Sequence, residues 1–446
     1  MYPDQCSQSA ALFERAQAVL PGGNSRHSIA FPPYPVYAVE GEGCHLKDAD
    51  GNRYIDCINN MSANIHGHRH TAVMGAALRQ QEKLVSVGLP TETEITLAEL
   101  LTQRVPSVDT VRFCNSGTEA LMFAARAARA YTGREMIAKI EGGYHGSYDS
   151  LDLSNKPTPD VWGDGDRPAT VIEDKGITQA IADKTLVLPV NRVEATRALI
   201  REHAGSLAAI FVDPLVSRMG FLPLTADYLA MITEEARNHG ILIVMDEVFS
   251  FRLGPAGAQG RFGVTPDLST FGKIIGGGYP IGALGGRRDV MDVFNHLPEG
   301  KPRVSHSGTF FANPVSMAAG TAALELLDEK MFRHLEKIGD LLRDGLKALS
   351  EKLDVQGQVM GMGSLVAFMP HAEPYSDYRG FAEGAASVGD AAVMHFQGLL
   401  NHGVLPVFPR GFILSSPMTA DTIGQILGAA EAVFRSEREA RLKQKP

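Results

Sequence analysis

Ala208-Ala209-Ile210-Phe211-Val212, a stretch of helical length over 227–238, Gly240, and then Ile241-Leu242-Ile243-Val244-Met245 form the passage that decides the fold. Two short apolar runs flank a helix that closes at a glycine, which reads as strand, crossover helix and strand. Strands that are apolar along their whole length need cover on both faces, and that is the condition of a parallel sheet. Further runs at 110–113, 136–140 and 186–190 alternate with helical stretches from about residue 73 onward. The alternation predicts an α/β unit with a mostly parallel sheet sheathed by helices.

On the amino-terminal side, residues 9–20 read as a helix stopped by Pro21-Gly22-Gly23. Strand-like residues over 36–46 and turn chemistry over 48–52 precede Tyr54-Ile55-Asp56, suggesting a hairpin-like arm. On the carboxyl-terminal side, helix to roughly 352, a strand at 364–368 and helices near 388–402 and 420–442 suggest a smaller α+β domain. The expected organisation is an amino-terminal helix and arm over 1–60, a large domain over 61–315 and a small domain over 316–446.

Charge and composition remove several classes of function. Across 446 residues, 42 Lys and Arg against 51 Asp and Glu leave a net charge of −9, and the basic residues do not cluster, so a nucleic-acid partner is not expected. Cys6, Cys44, Cys57 and Cys114 are scattered, with neither metal-ligand spacing nor disulfide density, which fits a reducing cytoplasm. The opening Met1-Tyr2-Pro3-Asp4-Gln5 lacks the basic and apolar regions of a signal peptide. The longest uncharged stretch, 307–324, carries Asn313, Pro314 and small polar residues, so no membrane span is expected. His66-Gly67-His68-Arg69-His70 lacks cysteine or carboxylate companions and reads as a loop without metal.

Three motifs carry chemistry. Asn115-Ser116-Gly117-Thr118-Glu119-Ala120 follows a strand and opens an alanine-rich helix, gathering free N–H groups where a phosphate would sit. The same letters suit a serine cap with an acidic first turn. Asp246-Glu247 stands at the carboxyl end of an apolar strand, where open α/β sheets place ligand-contacting groups. A carboxylate there is desolvated and wants a cationic or hydrogen-bonding partner. Lys273, in the apolar and glycine-rich Thr270-Phe271-Gly272-Lys273-Ile274-Ile275-Gly276-Gly277-Gly278, follows that aspartate by 273 − 246 = 27 residues. A desolvated lysine has a lowered pKa and serves as an amine nucleophile. Its glycines follow the lysine, so the loop is not a nucleotide phosphate loop. Gly142-Gly143-Tyr144-His145-Gly146 adds a ring suited to stacking on a flat heterocycle.

Taken in order, Asn115 to Ala120, Gly143-Tyr144-His145-Gly146, Asp246-Glu247-Val248, Lys273 with Gly276-Gly277-Gly278, and Gly308-Thr309-Phe310 with Asn313-Pro314 resemble the class III aminotransferases. The likeness covers residues 10–435, and Pro21-Gly22-Gly23-Asn24-Ser25-Arg26 resembles the branch holding glutamate-1-semialdehyde aminomutase and the β-phenylalanine aminotransferases. It implies the fold-type I architecture of pyridoxal 5'-phosphate (PLP) enzymes. It implies Lys273 as the Schiff-base lysine and Asp246 as the partner of the pyridinium nitrogen. Ser116, Gly117 and Thr118 are then expected on the phosphate, Tyr144 and Val248 on the two ring faces, and His145 among the cofactor contacts. Thr309 is expected on the phosphate of a second copy's cofactor, which makes the protein a homodimer with shared sites.

The chain departs from that family at Asp213-Pro214-Leu215-Val216-Ser217-Arg218, where Glu-Pro and an amide side chain are usual. Arg218 is a candidate for the missing contact to the ring hydroxyl or for a substrate carboxylate. Arg26 and Arg410 are candidate carboxylate ligands, Arg26 for the amino donor and Arg410 for the distal carboxylate of an acceptor such as 2-oxoglutarate. The expected activity is transfer of an amino group from an amino acid, a β-amino acid among the candidates, to a 2-oxo acid. Aminomutase or racemase chemistry uses the same lysine and cofactor. A cofactor-binding domain without catalysis predicts loss of the lysine or the aspartate, and both are present.

Overall fold

The computed structural model describes residues 1–446 apart from 299, 372, 390, 408–410 and 445–446. Arg410 therefore lies outside the described residues.

The apolar runs become β1 (Thr110–Cys114), β2 (Met136–Ile140), β3 (Thr185–Leu188), β4 (Leu207–Val212) and β5 (Leu242–Asp246), joined by β6 (Leu268–Gly272) and β7 (Gly282–Gly286). The seven strands are ordered β1-β7-β6-β5-β4-β2-β3. From β6 to β3 neighbours run parallel, while β7 is antiparallel to both β6 and β1. All six residues of β4 are buried, as a strand covered on both faces must be. Burying Ile210 and Phe211 contributes about 1.5–3 kcal/mol each, far more than strand propensity could.

The helices start and stop where local chemistry says they should. Ala226–His239 begins at Thr225, whose hydroxyl accepts from Tyr228 N–H at 3.3 Å, and ends at Gly240 with φ of +62°. It buries Tyr228, Leu229, Met231, Ile232 and Ala236 and supplies the crossover between β4 and β5. Gly117–Thr132 buries an alanine-rich face that packs into the same core as Phe211 and Val244.

One expectation changes. The segment read as a glycine-rich loop around Thr270-Phe271-Gly272 is strand β6, and Lys273 begins a short helical turn, Lys273–Gly276, directly after it. Close packing explains two of the glycines that hid this: a Cβ on Gly276 would stand 2.6 Å from Ile281, and one on Gly277 2.7 Å from the Ala319 carbonyl oxygen. A Cβ on Gly320, in the helix Pro314–Glu325, would stand 2.1 Å from the Ile275 carbonyl oxygen, so that helix seats directly on the lysine turn.

The chain divides into two compact units. The larger, residues 71–333 and 374–383, contains the seven-stranded sheet. The smaller, residues 1–70, 334–373 and 384–446, contains a four-stranded sheet (Ala38–Glu42, His45–Asp48, Arg53–Asp56, Val404–Leu405) and a three-stranded one (Gln358–Met362, Leu365–Met369, Gly411–Ile413). Among the described residues no helix is long and apolar enough to cross a membrane.

Candidate active site

Adjacent parallel strands deliver two carboxylates to the same edge. Val212 of β4 pairs with Met245 of β5, so the next step places Asp213 beside Asp246 on strands about 4.8 Å apart. Both are buried, at 4% and 5% exposure. Asp246 Oδ1 accepts from Val248 N–H at 3.0 Å and Oδ2 meets Nδ1 of the fully buried His145 at 2.8 Å. Asp213 is held by the N–H groups of Leu215 at 3.2 Å and Ser217 at 3.4 Å. Burial and then the charge of Asp246 push the Asp213 carboxyl well above its ordinary value, against the pull of those N–H groups and of Lys273. Asp246 has its closest side-chain partner in His145, whereas among the described residues Asp213 is held only by backbone N–H groups.

Lys273 faces these acids. Its backbone has φ of +48°, a left-handed conformation that costs a lysine energy and that clusters at working sites. Nζ stands 4.8 Å from the centroid of the Phe249 ring. Part of the side chain reaches solvent, yet burial around the amine lowers its pKa, with Asp246 and Asp213 opposing. Glycines let the surrounding backbone close in. A Cβ on Gly117 would meet Val248 at 2.8 Å, so that glycine must be bare for Val248 to lie where it does, and one on Gly272 would crowd it at 3.3 Å.

The serine cap of the Ser116 segment is present in the structure. Ser116 caps the helix Gly117–Thr132, its hydroxyl accepting from Glu119 N–H at 3.1 Å, while Glu119 Oε2 accepts from Asn115 N–H at 2.7 Å. The hydroxyl is thereby engaged, and the Gly117 and Thr118 N–H groups of the first turn have no intrahelical partner. Thr118 Oγ1 accepts from Ser147 N–H at 3.3 Å, tying the helix start to the segment that carries Tyr144 and His145. Gly146, at φ of +77°, permits that approach, since a Cβ there would lie 2.5 Å from Thr118 Oγ1.

Arg218, in the turn Ser217–Met219, lays its guanidinium 4.2 Å from the centroid of the Tyr144 ring. Val216 is buried in a two-residue strand paired with Leu222–Pro223. Thr309 lies in an exposed turn of the larger unit, and Arg26 is exposed in the smaller one. The larger unit thus gathers Asp246, Lys273, His145, Val248, Gly117 and Thr118 by direct contact or mutual charge, with the Tyr144 and Arg218 pair joined to them through the chain at His145 and Ser217. Asp213 and Phe249 join that group without having been singled out as site residues. Aligning the ends of neighbouring parallel strands would have found Asp213.

Glu141, at the end of β2 and just ahead of Gly142-Gly143-Tyr144, is raised to about 7 by burial, with Arg379 opposing at 3.5 Å. A carboxyl raised in the folded state favours folding while protonated, so its contribution falls as pH rises from about 4.5 to 7 and stays lost above. Glu141→Gln should remove that slope. Unfolding by urea is expected to show the variant about 1–3 kcal/mol more stable than wild type at pH 8 and no more stable at pH 4.5. An equal difference at both pH values would contradict the burial account.

The donor set suits one kind of ligand: a flat, cationic nitrogen heterocycle carrying a phosphate and a carbonyl. A buried acid aligned by a histidine would suit the ring nitrogen, a helix start with free N–H groups the phosphate, and an amine of lowered pKa the carbonyl. Residues 29–404 match the family model of aminotransferase class-III, and the chain belongs to that family. It is an enzyme fold of the PLP-dependent, fold-type I kind, and its cofactor is PLP. Among curated relatives, glutamate-1-semialdehyde 2,1-aminomutase of Methanothermobacter thermautotrophicus is 40% identical, covering 96% of this chain and 99% of its own. Among solved structures, an omega-transaminase from Sphaerobacter thermophilus is 43% identical with a TM-score of 0.92, covering 98% and 99%. A β-phenylalanine aminotransferase from Variovorax paradoxus is 34% identical with a TM-score of 0.84, covering 97% and 94%.

Proposed function

We propose that the chain is an aminotransferase that moves an amino group from a carboxylate-bearing amino donor, a β-amino acid among the candidates, to a 2-oxo acid in two half-reactions. The observation that carries this is the Lys273 amine, with its depressed pKa, set against the Asp246 and Asp213 pair. Bound PLP supplies an electrophilic carbonyl and an electron sink.

The protein's residues do the rest. Lys273, whose amine burial makes easier to deprotonate, would hold the cofactor through its carbonyl and would take up and return a proton at Nζ. Asp246, aligned by His145, keeps the ring nitrogen protonated. Gly117 and Thr118 N–H groups bind the phosphate with Ser116 at the helix start, and Tyr144 and Val248 confine the ring. Arg218, stacked on Tyr144, holds that ring in place, and its remaining donors point the same chemistry toward the ring hydroxyl or a carboxylate.

A second copy of the chain completes the assembly, with Thr309 reaching its cofactor phosphate. Support comes from apolar side chains left open on the larger unit: Phe310 is 59% exposed, Val85 57% and Leu89 72%, and Asn313 Nδ2 ties the two segments by donating to the Val85 carbonyl at 3.0 Å. Arg26 holds the donor's carboxylate and Arg410 the acceptor's distal one.

The relatives named as aminomutases favour one other reading, conversion of glutamate-1-semialdehyde to 5-aminolevulinate with the same groups. A panel of α-, β- and ω-amino donors with pyruvate or 2-oxoglutarate separates the two. Transfer to an oxo acid with negligible aminolevulinate formation is expected. Efficient aminolevulinate formation without transfer would replace the proposal. Arg410→Ala is expected to raise KM for 2-oxoglutarate by a factor equivalent to about 1.5–3 kcal/mol while sparing pyruvate. An equal effect on both acceptors would remove Arg410 from its role.

A further inference from the structure

Four consecutive residues, Asn59, Asn60, Met61 and Ser62, have φ of +47°, +49°, +51° and +83°. None is glycine, and L residues visit the left-handed region singly rather than in runs. Such a run persists only where its surroundings over-determine it. Here the clamps are visible. Asp56, 1% exposed, accepts from the N–H groups of Ile58 and Asn59 on Oδ1, both at 2.9 Å, and meets His68 Nε2 with Oδ2 at 2.8 Å. The Asn59 amide donates to the carbonyls of Asp56 at 2.9 Å and Ile413 at 2.7 Å. Asn64 N–H returns to the Asn59 carbonyl at 3.0 Å, and Ser62 N–H to that of Ile58 at 3.2 Å.

The clamped turn presents one exposed side chain to a cation. Asn60 Oδ1 accepts from Arg26 Nη1 at 2.8 Å. Among the described residues Arg26 has no carboxylate partner, and its Nε and Nη2 donate to none. A carboxylate at position 60 would have neutralised the guanidinium, whereas a neutral amide orders it and leaves its charge and its second edge unused.

We propose that Asn60, held by the left-handed run 59–62, is a positioning residue that fixes Arg26 with its free guanidinium edge ready for the donor's carboxylate, and so sets the preference for carboxylate-bearing donors over simple amines. The inference rests on the assignment of Arg26 made under the proposed function. An arginine already ordered loses less freedom when the carboxylate arrives, which is what the strained backbone supplies.

The test compares holoenzyme variants on 3-amino-3-phenylpropanoate and on 1-phenylethylamine, the same donor without its carboxylate, with pyruvate as acceptor. Asn60→Gly keeps the left-handed backbone and removes only the amide, so its Tm should equal or exceed that of wild type. Its kcat/KM ratio for the acid over the amine is expected to fall about tenfold, through KM rather than kcat. Asn60→Ala should show the same fall with a lower Tm. Arg26→Ala should lower the ratio at least as far, and adding Asn60→Gly to it should change nothing more. An Asn60→Gly ratio equal to wild type, or additive effects in the double variant, overturns the positioning role while Arg26 stands. An Arg26→Ala ratio equal to wild type overturns the reading on which it rests.

Discussion

Replacing Lys273 by alanine is expected to leave a folded protein that still binds PLP and to lower turnover by at least about 10³-fold. The magnitude follows from two losses at one atom, the nucleophile and the group that moves the proton. Among the described residues no other lysine is set against both Asp246 and Asp213. The other deeply buried lysine, Lys139, is lowered to about 7, but its Nζ is consumed by the carbonyls of Leu151 and Leu153 and by Asn155 Oδ1. Absorbance and steady-state kinetics separate the outcomes, and near-normal rates would refute the assignment.

Asp246→Asn is expected to fold normally, since the amide oxygen can still accept from the Val248 N–H while the amide nitrogen donates to an unprotonated His145 Nδ1. Turnover at saturating PLP should nevertheless fall on the order of 10²–10³-fold, because a neutral amide cannot keep the ring nitrogen protonated. The neighbouring Asp213 would not rescue it, since burial pushes its pKa up and disfavours its charged form. Weakened PLP binding with unchanged kcat would show that Asp246 anchors the cofactor without tuning it.

Much of this was legible in the residues because burial writes itself as composition. The strands β4 and β5 stand out as unbroken apolar runs, and Asp246 at the end of β5 is conspicuous for breaking one. β7, Gly-Ala-Leu-Gly-Gly, was invisible for the opposite reason. A Cβ on Gly282 would lie 2.0 Å from the Ser116 carbonyl oxygen and one on Gly286 2.3 Å from that of Asp267, so close packing has stripped the strand of the side chains by which strands are recognised. At the site, Lys273 and Asp246 are marked by residue type and order. The His145 to Asp246 contact spans 101 residues and the Asn60 to Arg26 contact 34, and only the fold brings those partners together. The Ser116 segment was ambiguous because a phosphate cradle and a serine cap draw on the same N–H groups, and the structure contains the cap beside the free first turn.

The central claim is that Lys273 is the amine that carries the cofactor. Treating the yellow holoenzyme with borohydride, which turns a lysine–cofactor linkage into a stable secondary amine, and then mapping peptides by mass spectrometry tests it directly. A single modified site at Lys273, absent from Lys273→Ala, is the predicted result. Modification at Lys139 or another lysine, or no fixed cofactor at all, would contradict the account.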